Sequence, residues 1–285
     1  PNSSLYYGVE WVLNDVNSQG ENTNILSHIS TPGPSRYPQA KWLSYGAYGS
    51  LQHQISKALM LQSGLRYNGI KLDATFDTSF YPLPFEKAQI DTGNWTGNFG
   101  LVLNPGRQWL LRANYATAFR APNVDDLGKI FDSEPGAVVV PNHQLKPEYA
   151  HSWDLGTAKI INKKLKIDVS TYYTRLKNAM VRRDFSLNGA QFIPYDGELS
   201  RVQAIQNAAT AYVYGLQAGF ELKLPAGFEL TSDFNYQKGE EEMNDGNKSP
   251  SRHVAPWFGV TRLWFRANDL NIQCYSRYSG GFTHA

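Results

Sequence analysis

The side chains best suited to binding something lie in stretches that lack any regular pattern. "NAMVRRDF" sets Arg182, Arg183 and Asp184 side by side, with Tyr195, Asp196 and Glu198 a short way on. Adjacent guanidiniums present planar forks of donors that suit an anionic or metal-chelate ligand. The competing reading is a solvated or loop-bracing pair. His143 could coordinate a metal, but it has no clear second histidine partner, and a lone loop imidazole is ordinarily solvated. The run "GEEEMNDGN", residues 239–247, offers oxygens to Ca²⁺ without the fixed spacing of a calcium loop, so a solvated loop tip is the expectation. No GxSxG, HExxH, Walker or GxGxxG motif occurs, and bond-making chemistry is not expected. A metal site and a cofactor are likewise not expected.

The elements that must hold these loops read as strands. "NYATAFRAPNVDDLGK", residues 114–129, opens as strict alternation. Trp109, Leu111, Tyr115, Thr117 and Phe119 share one face, against Arg112, Asn114, Ala116 and Ala118 on the other. Period-two alternation recurs along nearly the whole chain and is the primary sign of strands with two unlike faces. The clearest run sets Tyr212, Tyr214, Leu216, Ala218, Phe220 and Leu222 against Gly215, Gln217, Gly219, Glu221 and Lys223. In residues 58–76 the apolar parity switches, from Leu59, Leu61 and Leu65 to Ile70, Leu72 and Phe76. That switch suggests a bulge near Asn68-Gly69. No stretch has a convincing helical period.

Composition limits the class. The 285 residues carry a net charge of only +2 with no basic stripe, so nucleic acid is not an expected partner. One cysteine, Cys274, excludes an internal disulfide framework. No apolar run approaches the roughly 18 residues of a membrane helix, but a transmembrane strand needs only about 9–11. The chain opens at Pro1 and ends on "SGGFTHA", which reads as a fragment.

Connections between the strands alternate. Tight ones fall at Ser56-Lys57, Asn104-Pro105-Gly106, Asn162-Lys163, Pro225-Ala226-Gly227 and Ala267-Asn268. Long ones fall at about 15–40, 77–91, 120–147, 177–207 and 239–252. Long loops all at one end, with strands longer than the usual globular five or six residues, are the signature of an up-and-down barrel in an outer membrane. The Trp109/Leu111 face then meets lipid and the Arg112/Asn114 face a polar lumen. Tyr7, Trp11, Trp42, Trp109, Trp153, Tyr173, Tyr212 and Trp257 supply rings for interfacial girdles. A soluble sandwich or solenoid is the bland alternative.

Two boxes sharpen this reading. "YATAFRAPNVDDLGKIFDSEPG" followed by "VVVPNHQLKPEYAHSWDLG" resembles the FRAP and NPNLKPE boxes of TonB-dependent outer-membrane receptors, particularly Bacteroidetes-type ones. Here the boxes are Phe119-Arg120-Ala121-Pro122 and Pro141-Asn142-His143-Gln144-Leu145-Lys146-Pro147-Glu148, with His143-Gln144 departing from the common form. The resemblance extends over the whole chain. It implies an all-β, transmembrane antiparallel up-and-down barrel, about 11 of 22 strands being present in a partial domain over residues 1–285 that lacks its plug. It further implies import of a scarce, bulky nutrient of the ferric siderophore, haem or cobalamin class. The implied partners are outer-membrane lipid and the TonB energy-transducing complex, acting through the absent plug. Haem receptors of this family often place an axial ligand in the loop that holds His143. Pro122 cannot donate to a ladder, and Arg120 keeps the lumenal parity of Arg112, so the boxes are expected to pin the two ends of a long loop. Arg182, Arg183, Tyr195 and His143 are the candidate ligand residues. A passive porin-type channel is the runner-up, and a membrane-embedded hydrolase with a triad at the barrel wall is a third class.

Overall fold

The computed structural model describes residues 2–81, 83–128, 130–207, 210–242, 248–250 and 256–281. Residues 243–247, part of the acidic stretch considered for Ca²⁺, lie outside them. In chain order the strands begin with β1 (Ser3–Val16), the small hairpin β2 (Gly20–Thr23) and β3 (Ser30–Gly33), then β4 (Gln39–Gln54), β5 (Leu59–Thr75), β6 (Lys87–Leu103) and β7 (Trp109–Arg120). A five-residue helix, α1 (Val124–Gly128), precedes β8 (Phe131–Glu134) and β9 (Ala137–Val139). There follow β10 (Glu148–Ile161), β11 (Leu165–Lys177), β12 (Met180–Asp184), β13 (Phe192–Tyr195), β14 (Glu198–Asn207) and β15 (Thr210–Lys223). The last are β16 (Phe228–Glu242), β17 (Lys248–Pro250), β18 (Trp257–Ala267) and β19 (Leu270–Ser279).

The wall is one antiparallel sheet ordered β1-β4-β5-β6-β7-β10-β11-β15-β16-β18-β19, with β17 added to β16. Each strand pairs with its neighbours along this path, and β1 and β19 remain edges that do not pair with each other. The short turns lie at one end and the long loops at the other. At the tight Asn162-Lys163 turn both residues take left-handed backbone, with φ of 51° and 57°, the twist that joins antiparallel strands most compactly.

One face of this wall is exposed yet apolar. Trp11, Trp95 and Trp153 are 71%, 60% and 44% exposed, far more apolar surface than a water-facing sheet tolerates. Rings on this face form cross-strand chains: Trp11–Tyr45–Tyr67–Trp95, with centroids 5.3–6.3 Å apart, and Tyr115–Trp153–Tyr173–Tyr212 at 5.3–6.5 Å. Such chains are the aromatic girdle of a transmembrane barrel. The other face carries polar pairs: Arg66 with Glu10 at 2.6 Å, Arg262 with Asp233 at 2.9 Å and Arg266 with Glu229 at 2.9 Å. Cys274 is exposed on the edge strand β19.

The expected bulge at Asn68-Gly69 is absent. The β4–β5 register runs unbroken from Met60 to Thr75 and the β5–β6 register from Leu59 to Thr75. Ile70, Leu72 and Phe76 keep the lumenal parity of Arg66 and Asn68, and Leu72 and Phe76 are buried. The apolar parity switches because the neighbour of the lumenal face changes from a polar interior to an apolar loop core. Trp42 is corrected for the same reason: it packs against that core and is no girdle ring.

The loop core is built by the long connections themselves. Residues 121–147 and 177–207 fold into a five-stranded sheet, β12-β14-β9-β8, with β13 paired to β14. Within it β9 and β14 run parallel, and the full burial of Val138 and Val202 fits the rule that parallel pairs belong to sheets covered on both sides. Leu127, Val140, Leu145, Leu187 and Ala204 join Ala40, Leu72, Ala74 and Ala88 of the wall in one cluster. Burying the leucines and Val140 of this cluster, at about 1.5–3 kcal/mol each, is what holds the loops against the extracellular end of the wall.

Candidate functional site

Both boxes lie where β7 leaves the wall and β10 returns to it. Phe119 faces outward and tilts against Tyr149, with centroids 5.5 Å apart. Arg120 is directly opposite Glu148 in the ladder. Its guanidinium donates to Glu148 at 2.9 Å and to both carboxylate oxygens of Asp126 at 2.7 Å. Asp126 is held in turn by a reciprocal capping box on α1: Asn123 Oδ1 accepts the Asp126 N–H and Asp126 Oδ2 accepts the Asn123 N–H. Ala121, Pro122 and Pro141 are buried beneath these charges, and the missing N–H of each proline spares a buried donor that would need a partner.

The second box is tied down through its backbone. Asn142 is buried; its side chain donates to the Ile205 carbonyl at 2.8 Å and accepts the Gln144 N–H at 3.0 Å. Leu145 enters the loop core. Lys146 is exposed, but its N–H and carbonyl are both held by the Asn207 side chain, at 2.8 and 2.9 Å. Asn207 also donates to the Asn178 carbonyl, and Asn178 donates to the Pro147 carbonyl. The remaining Glu148 oxygen accepts the Met180 N–H at 2.6 Å. Glu148, Asn178 and Asn207 thereby join the start of β10 to both ends of the 177–207 loop.

The four candidate ligand residues are all carried by this loop assembly, in unequal surroundings. Arg183 is partly buried and pairs with Glu241 of β16 at 3.4 Å. Arg182 is half-buried and makes no ion pair among the described residues. Tyr195 stacks on Tyr81, with centroids 5.7 Å apart and planes 19° from parallel. The exposed His143 ring lies 4.5 Å from the Phe85 centroid, and Phe85 packs edge-on against Phe76. No cluster of metal-ligating side chains forms among the described residues. What the assembly offers is an aromatic surface with one exposed imidazole and one uncommitted guanidinium.

The family model "TonB dependent receptor-like, beta-barrel" matches residues 2–284. The chain belongs to the TonB-dependent receptor β-barrel family. It is 28% identical over 227 residues to haemoglobin–haptoglobin utilization protein B of Neisseria meningitidis serogroup A, covering 73% of this chain and 28% of that protein. It is 25% identical over 194 residues to haemoglobin–haptoglobin-binding protein A of Haemophilus influenzae, covering 60% of this chain and 18% of the relative. The chain thus spans less than a third of the length of these curated relatives. Among solved structures it resembles the copper transporter OprC, at a TM-score of 0.78 and 16% identity, over 98% of this chain and 42% of that one. It also resembles the Serratia marcescens hemophore receptor HasR, at 0.74 and 16%, over 98% and 49%.

This family of outer-membrane barrels consists of transporters and not of enzymes, which places the ring-lined face of the receptor barrel in lipid. The relatives come from Neisseria and Haemophilus; the likeness to Bacteroidetes-type members rests on the boxes alone. Three residues of the receptor's anchor were not singled out from sequence: Asp126, Asn178 and Asn207. Asp126 had a legible signal, since "NVDD" is a capping box. The two asparagines had none, because their partners are up to 61 residues away.

Proposed function

We propose that the receptor to which this chain belongs captures an iron chelate of the haem class at its extracellular loops and imports it with energy delivered through TonB. The observation that carries this reading is the exposed His143 imidazole against Phe85, on a loop assembly that also bears the Tyr81–Tyr195 stack. A planar, apolar, iron-bearing ligand fits aromatic rings on its faces and an imidazole on its metal. The names of the haemoglobin–haptoglobin relatives point the same way. Ferric siderophores are the second reading, favoured by the uncommitted Arg182 beside Arg183. Energised transport is preferred to a passive porin because of the family. The plug and the TonB contact are assigned to the rest of that receptor.

The test is growth of a strain lacking the receptor, complemented with the full-length protein, on haem, cobalamin or single siderophores as sole source. Haem should support growth, and purified receptor should shift the Soret band of added ferric haem, with His143→Ala lowering that affinity about tenfold. Growth on a siderophore but not on haem would overturn the assignment.

A further inference from the structure

The outer face of β7, β10, β11 and β15 carries successive rows of directly paired residues. One row is entirely aromatic: Tyr115, Trp153, Tyr173 and Tyr214. The next row toward the extracellular side reads Thr117, His151, Arg175 and Tyr212, and the one after it Phe119, Tyr149, Lys177 and Thr210. Arg175 and Lys177 therefore stand one above the other on β11, at the extracellular margin of the ring band, beside Tyr212 and Tyr149. Both are exposed, and neither is ion-paired among the described residues. Beside them, His151 Nδ1 lies 2.8 Å from the Tyr115 hydroxyl, which leaves Nε2 for another partner. The carboxylate in the Arg175 row, Glu240, is already engaged by Lys238 and the Tyr212 hydroxyl. On β5, by contrast, the outward cation Lys71 is neutralised by Asp91 at 2.9 Å.

A second feature lies on the same strands, on the other side of the rings. There the outer face has a shallow, open apolar crevice of about 490 Å³, lined among others by Leu111, Ala113, Leu155, Thr157, Val169 and Thr171. Thr157 lines it, with its hydroxyl buried and without a hydrogen-bond partner among the described residues. From Thr171 to Arg175 is four residues, about 13 Å along the strand. Half of a hydrocarbon core is about 15 Å.

We infer that this sector seats a phosphate-bearing lipid of the outer leaflet. Its phosphate pairs with Arg175 and Lys177, with His151 Nε2 as an additional contact. Its interfacial portion lies on the ring band and one acyl chain fills the crevice. Exposed cations alone, or a dent in a lipid-facing wall alone, would be unremarkable. Their alignment on the same strands, with aromatic rings between, reproduces the charged, interfacial and apolar order of a lipid. The inference rests on the outer-membrane barrel and not on the nutrient reading.

The test uses the intact receptor in neutral detergent, with folded barrel selected by its heat-modifiable gel migration. Dioleoyl phosphatidic acid and dioleoyl phosphatidylcholine are supplied in equal small excess, and retained lipid is counted by native mass spectrometry. Wild type should retain phosphatidic acid at least fivefold over phosphatidylcholine. Arg175→Ala with Lys177→Ala should erase that preference, whereas Lys41→Ala with Lys71→Ala, an equal loss of charge on the outer face of β4 and β5, should keep it. Ala113→Phe, or Thr171→Leu if the first does not assemble, should fill the crevice and lower retention of both lipids severalfold. A preference that survives the double change overturns the proposal. So does displacement by inorganic phosphate as readily as by phosphatidic acid, which would mark a simple anion site. A dimer lost on Ala113→Phe, without lipid preference, would give this face to a second copy of the chain.

Discussion

Arg120 and Glu148, separated by 28 residues in sequence, are direct ladder partners and an ion pair at 2.9 Å. The last residue of β7 and the first of β10 thus clamp the base of the loop between them. Neither partner depends on the other alone. Arg120 is shared with Asp126, and Glu148 with the Met180 N–H. Because each acceptor serves two donors, loss of one contact leaves the loop held by the other, and loss of a shared carboxylate releases two segments together.

Glu148→Ala should therefore loosen residues 121–147 and the start of β12 at once. It strips Arg120 of one carboxylate and leaves the Met180 N–H without its partner, at a cost of about 1–3 kcal/mol to loop docking. Limited proteolysis of folded barrel should show faster nicking in both loops, with barrel assembly unchanged. Glu148→Gln keeps the acceptor for Met180 and should nick more slowly than the alanine variant. Equal protection of wild type and Glu148→Ala would contradict the clamp.

Asn207 holds Lys146 by two bonds and Asn178 by a third. Asn207→Ala should cost about 2–3 kcal/mol, at roughly 1 kcal/mol per net hydrogen bond. Asn207→Asp keeps the acceptor for the Lys146 N–H but turns a carboxylate oxygen toward the Lys146 and Asn178 carbonyls, so its loss should be at least as large as that of the alanine variant. Hydrogen exchange at the backbone of residues 145–147 would report the ordering of the three proteins.

The faces of β15 can be tested by one pair of changes. Leu216 pairs with Thr171 on the outer face, and Gln217 pairs with Ser170 on the lumenal face. An arginine near the lipid midplane costs about 2–4 kcal/mol. Leu216→Arg should reduce assembled barrel, read as the heat-modifiable fraction, while Gln217→Arg should assemble normally. Similar yields from both would mean the register is wrong by one residue.

The two arginines of β12 should separate in function. Arg183 is committed to Glu241, so Arg183→Ala should increase loop proteolysis. Arg182 has no ion pair among the described residues, so Arg182→Ala should weaken capture of an anionic ligand without affecting protease resistance. If binding of haem and of ferric siderophores survives both changes in the intact receptor, the capture site is not at β12.

Local sequence determined the strands, their two faces and which ends carry long loops, because a side-chain period of two and turn chemistry are read within a few residues. It also located the FRAP and second boxes, whose prolines and charges end and restart pairing where they stand. It could not determine what the lumenal face meets. Ile70, Leu72 and Phe76 looked like a bulge, and Trp42 looked like a girdle ring, because an apolar side chain reads the same whether lipid or a folded loop covers it. The parallel contact of β9 with β14, the partners of Asn178 and Asn207, and the alignment of Arg175 and Lys177 with the crevice join segments distant in the chain. Those juxtapositions carry no local period, so only the tertiary structure decided them.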